Sequence, residues 1–234
     1  MVSHNAADPY IDPETGTLRN LVGARTPAEL AGAEGDLVFA RMVQLAEHPP
    51  EPTGDLAELQ AIHRQLFQDV YAWAGELRLV ELRKNVEDAE PFLPFSMILR
   101  ASTHVVEALA SDDLLRSLPR GRFVERLAFH YDQLNYIHPF REGNGRTQRV
   151  FWTRVARDAG WTLDWRLVSG AANDSACRAA SEDRDLAPLR RMFDLMVAQA
   201  SARPPGRGAP AETERLRATF RRVPGSDGEA RRHW

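Results

Sequence analysis

The chain has 234 residues, a length that allows one domain of about 200 residues with a hydrophobic core. Its formal net charge is −3 and 43% of its residues are hydrophobic, so composition gives no reason to expect specific binding to nucleic acid or to a membrane. No stretch approaches the roughly 20 uninterrupted apolar residues that span a bilayer. The polar start argues against a signal peptide, and the single cysteine, Cys177, excludes an internal disulfide. We therefore expect a cytoplasmic protein in which Cys177 is a small buried residue.

The first part of the chain predicts two helices. Thr26 and Glu29 have the spacing of a capping box with a proline at the first helical position, so a helix should run from there to about Glu47. A second helix is expected to open near Asp55 and to end at Gly75. Its apolar residues recur at steps of three and four, which is the spacing of one helical face: Leu59, Ile62, Leu66, Val70 and Trp73.

Residues 79–95 interrupt this helical pattern. Val80, Glu81, Leu82 and Arg83 alternate apolar with charged, and a charged centre with two prolines follows. Alternation with period two indicates a half-exposed strand, so the segment predicts a short hairpin or an extended flap.

Five further helices are predicted after the flap. One is capped by Ser96, and the next follows Pro119 and ends just before His138. The others cover about 145–160, 171–181 and 186–200, the last of them capped by Asp185. The overall prediction is an all-α fold with a small β-hairpin flap.

The composition changes at about residue 201. Residues 201–234 contain eight arginines against four acidic residues and begin with a run of prolines and glycines. We expect residues 1–25 to be an N-terminal extension, 26–200 the main domain, and 201–234 an arginine-rich tail that is either a solvated segment or an interaction arm.

The candidate functional residues are the twelve at 138–149, which lie between two predicted helices. Two glycines flank Asn144 immediately before a helix, and successive N–H groups in such a turn can form a concave anion site. Arg146 and Arg149 lie three residues apart in the first turn, so they project from one face of that helix. Two guanidinium groups beside an anion site indicate a polyphosphate ligand.

Two further residues of this loop indicate a metal ligand and a general base. Glu142 lies beside the anion site, where a lone carboxylate is best explained by a Mg²⁺ ion shared with phosphate oxygens. His138 opens the loop, and a neutral imidazole can accept the proton of an attacking hydroxyl near pH 7.

This loop reads His-Pro-Phe-Arg-Glu-Gly-Asn-Gly-Arg-Thr-Gln-Arg, and it matches without departure the signature of the Fic (filamentation induced by cAMP) family. Residues 67–78 resemble the end of the helix that precedes the target-binding flap in this family. Residues 10–45 are similar to the toxin-type members. The resemblance covers about residues 8–200 and leaves the tail unexplained.

The resemblance implies a Fic-like helical bundle that transfers AMP from ATP to a Ser, Thr or Tyr hydroxyl of a target protein. His138 would be the general base, and Glu142 would hold Mg²⁺ on the α- and β-phosphates. Phe140 would anchor the loop. The remaining roles are the α-phosphate cradle (Gly143, Asn144 and Gly145), the β-phosphate contact (Arg146) and the γ-phosphate contact (Arg149). The flap that would grip the target as an added strand includes Leu79, Val80, Glu81, Leu82, Arg83 and Lys84.

Two other functions remain open at this point. The Doc type resembles this fold but transfers the γ-phosphate as a kinase, and it has a bulkier basic residue in place of the second glycine. Gly145 therefore favours AMP transfer. The other alternative is a catalytically silent nucleotide-binding module, which would be expected to have a damaged base or metal position.

The resemblance also bears on regulation and partners. Many family members contain an inhibitory helix, Ser/Thr-x-x-x-Glu-Gly/Asn. The nearest match here is Glu34-Gly35, with Leu30 at the Ser/Thr position. We therefore expect the inhibitory glutamate to come from a separate small antitoxin. Family analogy suggests either a type II topoisomerase subunit or, for a secreted member, a host GTPase as the target, and the sequence does not decide between them.

Overall fold

The computed structural model describes residues 8–83 and 90–200. Lys84, the charged centre of the flap and the arginine-rich tail lie outside the described residues. Within them the chain is mainly helical, with one two-stranded sheet. The seven α-helices of the described residues are α1 (Pro27–Glu47), α2 (Leu56–Phe67), α3 (Ile98–Ser111), α4 (Arg120–Ile137), α5 (Asn144–Asp158), α6 (Gly170–Glu182) and α7 (Ala187–Met196). None of the helices in this part of the chain is both long and apolar enough to cross a membrane.

The starts of the first two helices confirm the capping predictions. The Thr26 side chain accepts from the Glu29 N–H, and the Glu29 carboxylate accepts from the Thr26 N–H in return, which completes the capping box. Asp55 caps α2 by accepting from the Glu58 N–H at 3.0 Å. The Glu58 carboxylate in turn pairs with Arg154 of α5 at 2.9 Å, so a buried ion pair joins these two helices.

The predicted end of the second helix at Gly75 was wrong. Helix α2 ends at Phe67, and the chain then turns because the N–H groups of Val70 and Tyr71 both donate to the Phe67 carbonyl. Gly75 closes these turns with φ +85°, and a Cβ there would lie 2.9 Å from the Cβ of Arg64. Val70 is buried all the same, because the turns fold back over the core.

Two other predicted caps were also wrong. Residues Phe95–Met97 form a short 3-10 turn, and α3 begins after it with Met97 at its N-cap and no side-chain cap. Asp185 accepts from the Ala187 N–H at 2.8 Å, but Leu186 is the N-cap residue of α7. In both helices a polar residue ahead of an apolar run marked the approximate start and missed the N-cap position by one residue.

The structure has a small sheet that the sequence did not predict. Strand β1 (Trp161–Leu163) pairs antiparallel with β2 (Val197–Gln199), with Thr162 opposite Ala198. Helix α7 therefore stops at Met196 instead of continuing to 200, because the backbone groups of the next residues bond to a strand far away in sequence. Among the described residues of the flap, Arg83 and Pro91 form an antiparallel bridge.

Helix α4 lies at the centre of the fold and contacts α3, α5, α6 and α7. Its inward side chains include Phe123, Leu127 and Tyr131, all nearly or fully buried. Cys177 of α6 is buried in the same core, as predicted. The loop 138–149 connects α4 to α5, so both of its ends are fixed by buried helices.

Candidate active site

His138 lies at the point where α4 ends. It adopts the left-handed conformation, with φ 47° and ψ 61°, and its N–H still donates to the Leu134 carbonyl. Its Nδ1 donates to the Asn135 carbonyl at 3.3 Å, which leaves the basic lone pair on Nε2. The ring stacks on Phe92 of the flap, with centroids 3.7 Å apart. Hydrogen bonding and stacking thus determine both the tautomer and the plane of the imidazole.

Arg78 is a buried cation beneath His138, with only 1% of its surface exposed. Its guanidinium donates to four main-chain carbonyls, two at the end of α4 (Ile137 and His138) and two in the flap (Val80 and Leu93). The main-chain N–H of Arg78 also donates to the Pro139 carbonyl. The positive charge lies at the carbonyl end of α4, where the helix dipole favours a cation. Arg78 therefore joins the base of the flap to the loop 138–149.

Phe140 and Asn144 stabilise the loop, one through burial of its ring and the other through two hydrogen bonds to the main chain. Phe140 is fully buried. The Asn144 side chain accepts from the Phe140 N–H at 2.9 Å and donates to the Phe140 carbonyl at 2.7 Å. Because both ends of this amide are engaged by the loop itself, Asn144 can contribute to an anion site through its main-chain N–H.

His63 of α2 supports the loop from below. Its Nδ1 accepts from the Gly75 N–H at 2.8 Å, so Nε2 bears the proton and donates to the Glu142 carbonyl at 3.0 Å. Its ring stacks on Phe140, with centroids 3.9 Å apart. Burial, with a smaller contribution from the charge of Arg146, lowers the pKa of His63 to about 3 although the hydrogen bond to the Glu142 carbonyl opposes this shift. The imidazole is therefore a neutral structural support.

Gly143 and Gly145 have different roles in the local structure. Gly143 has φ +79°, and a Cβ there would lie 2.3 Å from the Phe67 ring. A Cβ at Gly145 would meet nothing within 4 Å, and this residue is exposed. Gly143 is the N-cap of α5, and no side chain of the described residues caps that helix end. Its first N–H groups lie at the positive end of a helix, a position that favours an anion.

Glu142 points back over this helix end. Its Oε1 accepts from the Gly143 N–H at 2.9 Å and lies 3.5 Å from Nη2 of Arg146. The side chain is 40% exposed, yet the surrounding protein raises its pKa by removing hydration, and the Glu34 carboxylate raises it further. Arg146 acts in the opposite direction.

The two arginines of the loop project from the first turn and a half of α5. Arg146 lies 4.8 Å above the centre of the Phe67 ring and pairs with Glu34 of α1 at 2.5 Å. The guanidinium carbon of Arg149 lies 5.6 Å from the centre of the Trp165 ring. Each guanidinium is therefore backed by an aromatic ring, which limits where its charge can point.

The flap covers the His138 side of the loop. Leu82 is buried while its neighbours Glu81 and Arg83 are exposed, which is the alternation that the sequence predicted. The Phe92 N–H donates to the Leu82 carbonyl at 3.0 Å, and the Leu93 N–H donates to the Tyr136 carbonyl. Leu79 and Val80 connect this segment to Arg78, and Leu79 is 66% exposed.

Residues 8–25 pack against the same region. Asp8 pairs with Arg141 of the loop at 2.8 Å, and the Tyr10 hydroxyl accepts from the Leu79 N–H at 3.2 Å. The Asn20 side chain donates to the Ala24 carbonyl and accepts from the Ala24 N–H, which stabilises the turn between these two residues. The segment before α1 therefore contacts both the loop and the flap.

Comparison with known proteins identifies this architecture. Residues 53–156 match the model of the Fic/DOC family, and this match includes the whole loop 138–149. The chain is 34% identical over 193 residues to the "Probable protein adenylyltransferase Fic" of Escherichia coli, which covers 82% of this chain and 94% of that protein. The chain belongs to the Fic/DOC family. It is also 39% identical over 161 residues to the protein adenylyltransferase VbhT of Bartonella schoenbuchensis, covering 69% of this chain and 33% of that longer protein.

Solved Fic structures have the same fold. The BepC protein of Bartonella tribocorum, with bound AMPPNP, superposes with a TM-score of 0.73 at 26% identity and covers 81% of this chain and 96% of its own. The N-terminal Fic domain of a Bartonella quintana effector, with bound ADP, gives a TM-score of 0.75 at 26% identity, covering 82% of this chain and 96% of its own. The predicted family and the predicted all-α fold are thereby confirmed.

Sequence reasoning missed several residues that support the Fic loop: Glu34, His63, Phe67, Tyr71 and Arg78. Two of them had a detectable signal. Glu34 lies four residues from both Leu30 and Val38, so it occupies the buried stripe of α1, and a charge in such a stripe requires a partner. His63 lies four residues from both Leu59 and Phe67, so it occupies the buried face of α2 in the same way. The partners themselves come from other helices and could not be read from spacing.

Proposed function

We propose that this Fic/DOC protein is an adenylyltransferase that transfers AMP from ATP to a Ser, Thr or Tyr hydroxyl of a target protein and releases pyrophosphate. The observation that carries the proposal is the arrangement of the loop. A base of defined tautomer, an uncapped helix end, one carboxylate and two ring-backed arginines lie within residues 138–149. The names of the relatives support the same activity.

His138 is the proposed general base. Nδ1 donates to the Asn135 carbonyl, so Nε2 has the lone pair that can accept the proton of the target hydroxyl. The new bond forms between that hydroxyl oxygen and the α-phosphorus of ATP. The bond that breaks joins the α-phosphorus to the bridging oxygen of the pyrophosphate.

The start of α5 is the proposed phosphate site. The N–H groups that follow Gly143 would donate to the α-phosphate, where negative charge develops as the hydroxyl attacks. Arg146 contacts the β-phosphate and Arg149 the γ-phosphate in this proposal. Because the leaving group is highly charged, guanidinium groups at fixed positions stabilise it as it departs.

Glu142 is the proposed Mg²⁺ ligand. The described residues contain no group of three or more His, Cys, Asp or Glu that could hold a metal alone. A single carboxylate at an anion site fits a Mg²⁺ ion that takes its remaining ligands from phosphates and water. When bound, the ion would neutralise charge on the phosphates. Glu142 would orient it while the Gly143 N–H holds the carboxylate in place.

The flap is the proposed grip on the target protein. Its edge near Arg83 and Pro91 is close in sequence to Phe92, which stacks on His138, so an added strand would present its hydroxyl to the base. The partners we propose are a target protein, either a topoisomerase subunit or a GTPase, and a small antitoxin. The proposed compartment is the cytosol. Several similar Bartonella proteins are described as translocated effectors, so delivery into another cell is the alternative to test.

The testing experiment incubates the purified chain with a cell lysate, Mg²⁺ and ATP labelled at either the α- or the γ-phosphate. AMP transfer predicts a labelled protein band with the α-label and none with the γ-label. Label from the γ-phosphate would instead make the protein a Doc-type kinase, and no label from either would indicate a nucleotide-binding module. Mass spectrometry of the band identifies the acceptor residue.

A further inference from the structure

Glu34 of α1 holds a motif arginine although it lies more than a hundred residues before the loop. Its Oε1 is 2.5 Å from Nη2 of Arg146, and only 4% of the residue is exposed. Glu34-Gly35 is also the nearest match to the family's inhibitory motif, in which the glutamate pairs with the second motif arginine. Here the partner is the first arginine of the motif, so the contact requires an explanation of its own.

Tyr71 holds Glu34 from the other side. The Tyr71 hydroxyl donates to Oε2 of Glu34, so the two carboxylate oxygens have different partners. Burial raises the pKa of Tyr71, and the charges of Glu34 and Glu142 raise it further, so the hydroxyl remains protonated. Tyr71 is buried and stacks against Trp73 at 4.3 Å between centroids, which fixes the position of its ring. Glu34 is therefore itself immobilised.

Arg146 is restrained by these contacts and by an aromatic ring. Phe67 lies beneath its guanidinium, and both carboxylate contacts, to Glu34 and to Glu142, are made through the same nitrogen, Nη2. A guanidinium has five N–H donors in a planar fork. The ion pair at Nη2 and the Phe67 ring under the guanidinium together limit the direction of the fork, and 26% of the side chain is exposed.

We infer that Glu34 and Tyr71 are positioning residues that aim the Arg146 guanidinium at the β-phosphate of the nucleotide. This inference rests on the proposed function in one respect, the assignment of Arg146 to the β-phosphate. An arginine that is already ordered loses little rotamer freedom when the phosphate binds. In the opposite role, Glu34 would compete with the phosphate for Arg146 and would weaken nucleotide binding. We call this inhibitory role a brake.

The two roles predict effects of opposite sign. Glu34→Gln removes a negative charge beside the phosphate site, so a brake would be released and ADP would bind more tightly. A positioning role predicts that ADP binds about tenfold more weakly, the factor expected when the rotamer entropy of one arginine must be lost on binding. Tyr71→Phe keeps the ring and removes the donor, so it should weaken ADP binding in the same direction by a smaller factor.

The experiment measures the dissociation constants of ADP and of AMP by calorimetry in the presence of EDTA. AMP lacks the β-phosphate, so positioning predicts that Glu34→Gln changes the affinity for ADP and leaves that for AMP within twofold. Because both ligands are measured on one preparation, a partly unfolded fraction cancels in the ratio of the two constants. Asp36→Asn, an exposed acid on the same helix, is the matched charge control.

A double-mutant cycle decides whether Glu34 acts through Arg146. In an Arg146→Ala background the Glu34→Gln change should no longer alter the ratio of the two constants. An unchanged ratio in the single variant, a tighter ADP complex, or an effect that persists without Arg146 would each overturn the inference. Transfer of α-label to a target is a separate measurement, so failure of the proposed activity would be recognised independently of this result.

Discussion

The guanidinium of Arg78 donates to the main-chain carbonyl of His138 at 2.8 Å, so a buried cation holds the residue that we propose as the base. The same side chain donates to Val80 and Leu93, one on each arm of the flap. Arg78 thus connects the flap directly to the backbone of the proposed base. A change at Arg78 should affect stability and transfer together.

Arg78→Lys should lower the free energy of unfolding by about 1–3 kcal/mol, because an ammonium group cannot reach all four carbonyls and leaves buried acceptors unsatisfied. Denaturant unfolding measures this loss. The exposed Arg83 of the same flap offers a matched control, since Arg83→Lys should change stability by less than about 0.5 kcal/mol. Equal unfolding free energies for the two variants would show that the carbonyl contacts of Arg78 are unimportant.

His138→Ala should reduce the rate of AMP transfer by about 10²–10⁴-fold, the usual effect of removing a general base. The affinity for ATP should stay within a few-fold of the starting value, since the imidazole acts on the target hydroxyl and not on the phosphates. His104→Ala removes an exposed imidazole from α3 and is the control. A His138→Ala enzyme with more than half the original rate would contradict the assignment.

The two glycines of the loop offer a matched pair for stability. Gly143→Ala forces a side chain into a left-handed backbone and against the Phe67 ring, so the protein should lose about 1–3 kcal/mol. Gly145→Ala adds a methyl group where nothing lies within 4 Å, so it should leave stability unchanged or slightly raised. Thermal and denaturant unfolding of the two variants test this difference. Comparable losses in both would mean that the Phe67 contact does not constrain the loop.

The proposed role of Glu142 predicts that the affinity of the protein for Mg²⁺ depends on bound nucleotide. Since the described residues contain no group of three or more ligating side chains, the nucleotide-free protein should bind Mg²⁺ weakly, and addition of a nucleotide should raise the apparent affinity. Glu142→Gln should lose transfer activity, since it removes the charged ligand and preserves the shape of the side chain. Calorimetric titration of Mg²⁺ with and without ADP tests this. Tight Mg²⁺ binding without nucleotide would contradict a site shared with phosphates.

The sequence alone predicted the helices and the loop because their signals are local. The capping box at Thr26 and the motif 138–149 each consist of residues that are close together in the sequence. Both occur where the sequence predicted them. The end of α2 and the strand Val197–Gln199 were missed because distant partners determine them. The strand needs Trp161–Leu163, and α2 ends where its chain turns to present Gly75 to His63.

The same distinction applies within the site. His138 and Glu142 are recognisable by their order in the chain. By contrast, the contact between Glu34 and Arg146 depends on how α1 packs against α2 and how α2 packs against α5. Spacing could indicate that Glu34 lies on a buried face. It could not indicate which arginine would neutralise it.

His63 predicts a pH dependence of stability. Burial lowers its pKa from 6.5 to about 3 in the folded protein. As the pH falls below 6.5, His63 therefore becomes protonated in the unfolded chain and stays neutral in the folded chain. Stability from this group is therefore present above pH 6.5 and is lost as the pH falls toward 3, by about 1.4 kcal/mol for each unit. Between pH 7 and pH 5 the loss should be about 2 kcal/mol.

His63→Gln removes this titration, although it also lowers stability at pH 7 because the ring no longer packs on Phe140. The test compares slopes and not absolute values: the unfolding free energies of the two proteins should converge by about 2 kcal/mol between pH 7 and pH 5. The exposed His104→Gln variant controls for the loss of one imidazole. If the curves of His63→Gln and the unaltered protein stay parallel over this range, His63 takes up its proton in the folded state, and its role as a neutral support for the Glu142 carbonyl is wrong.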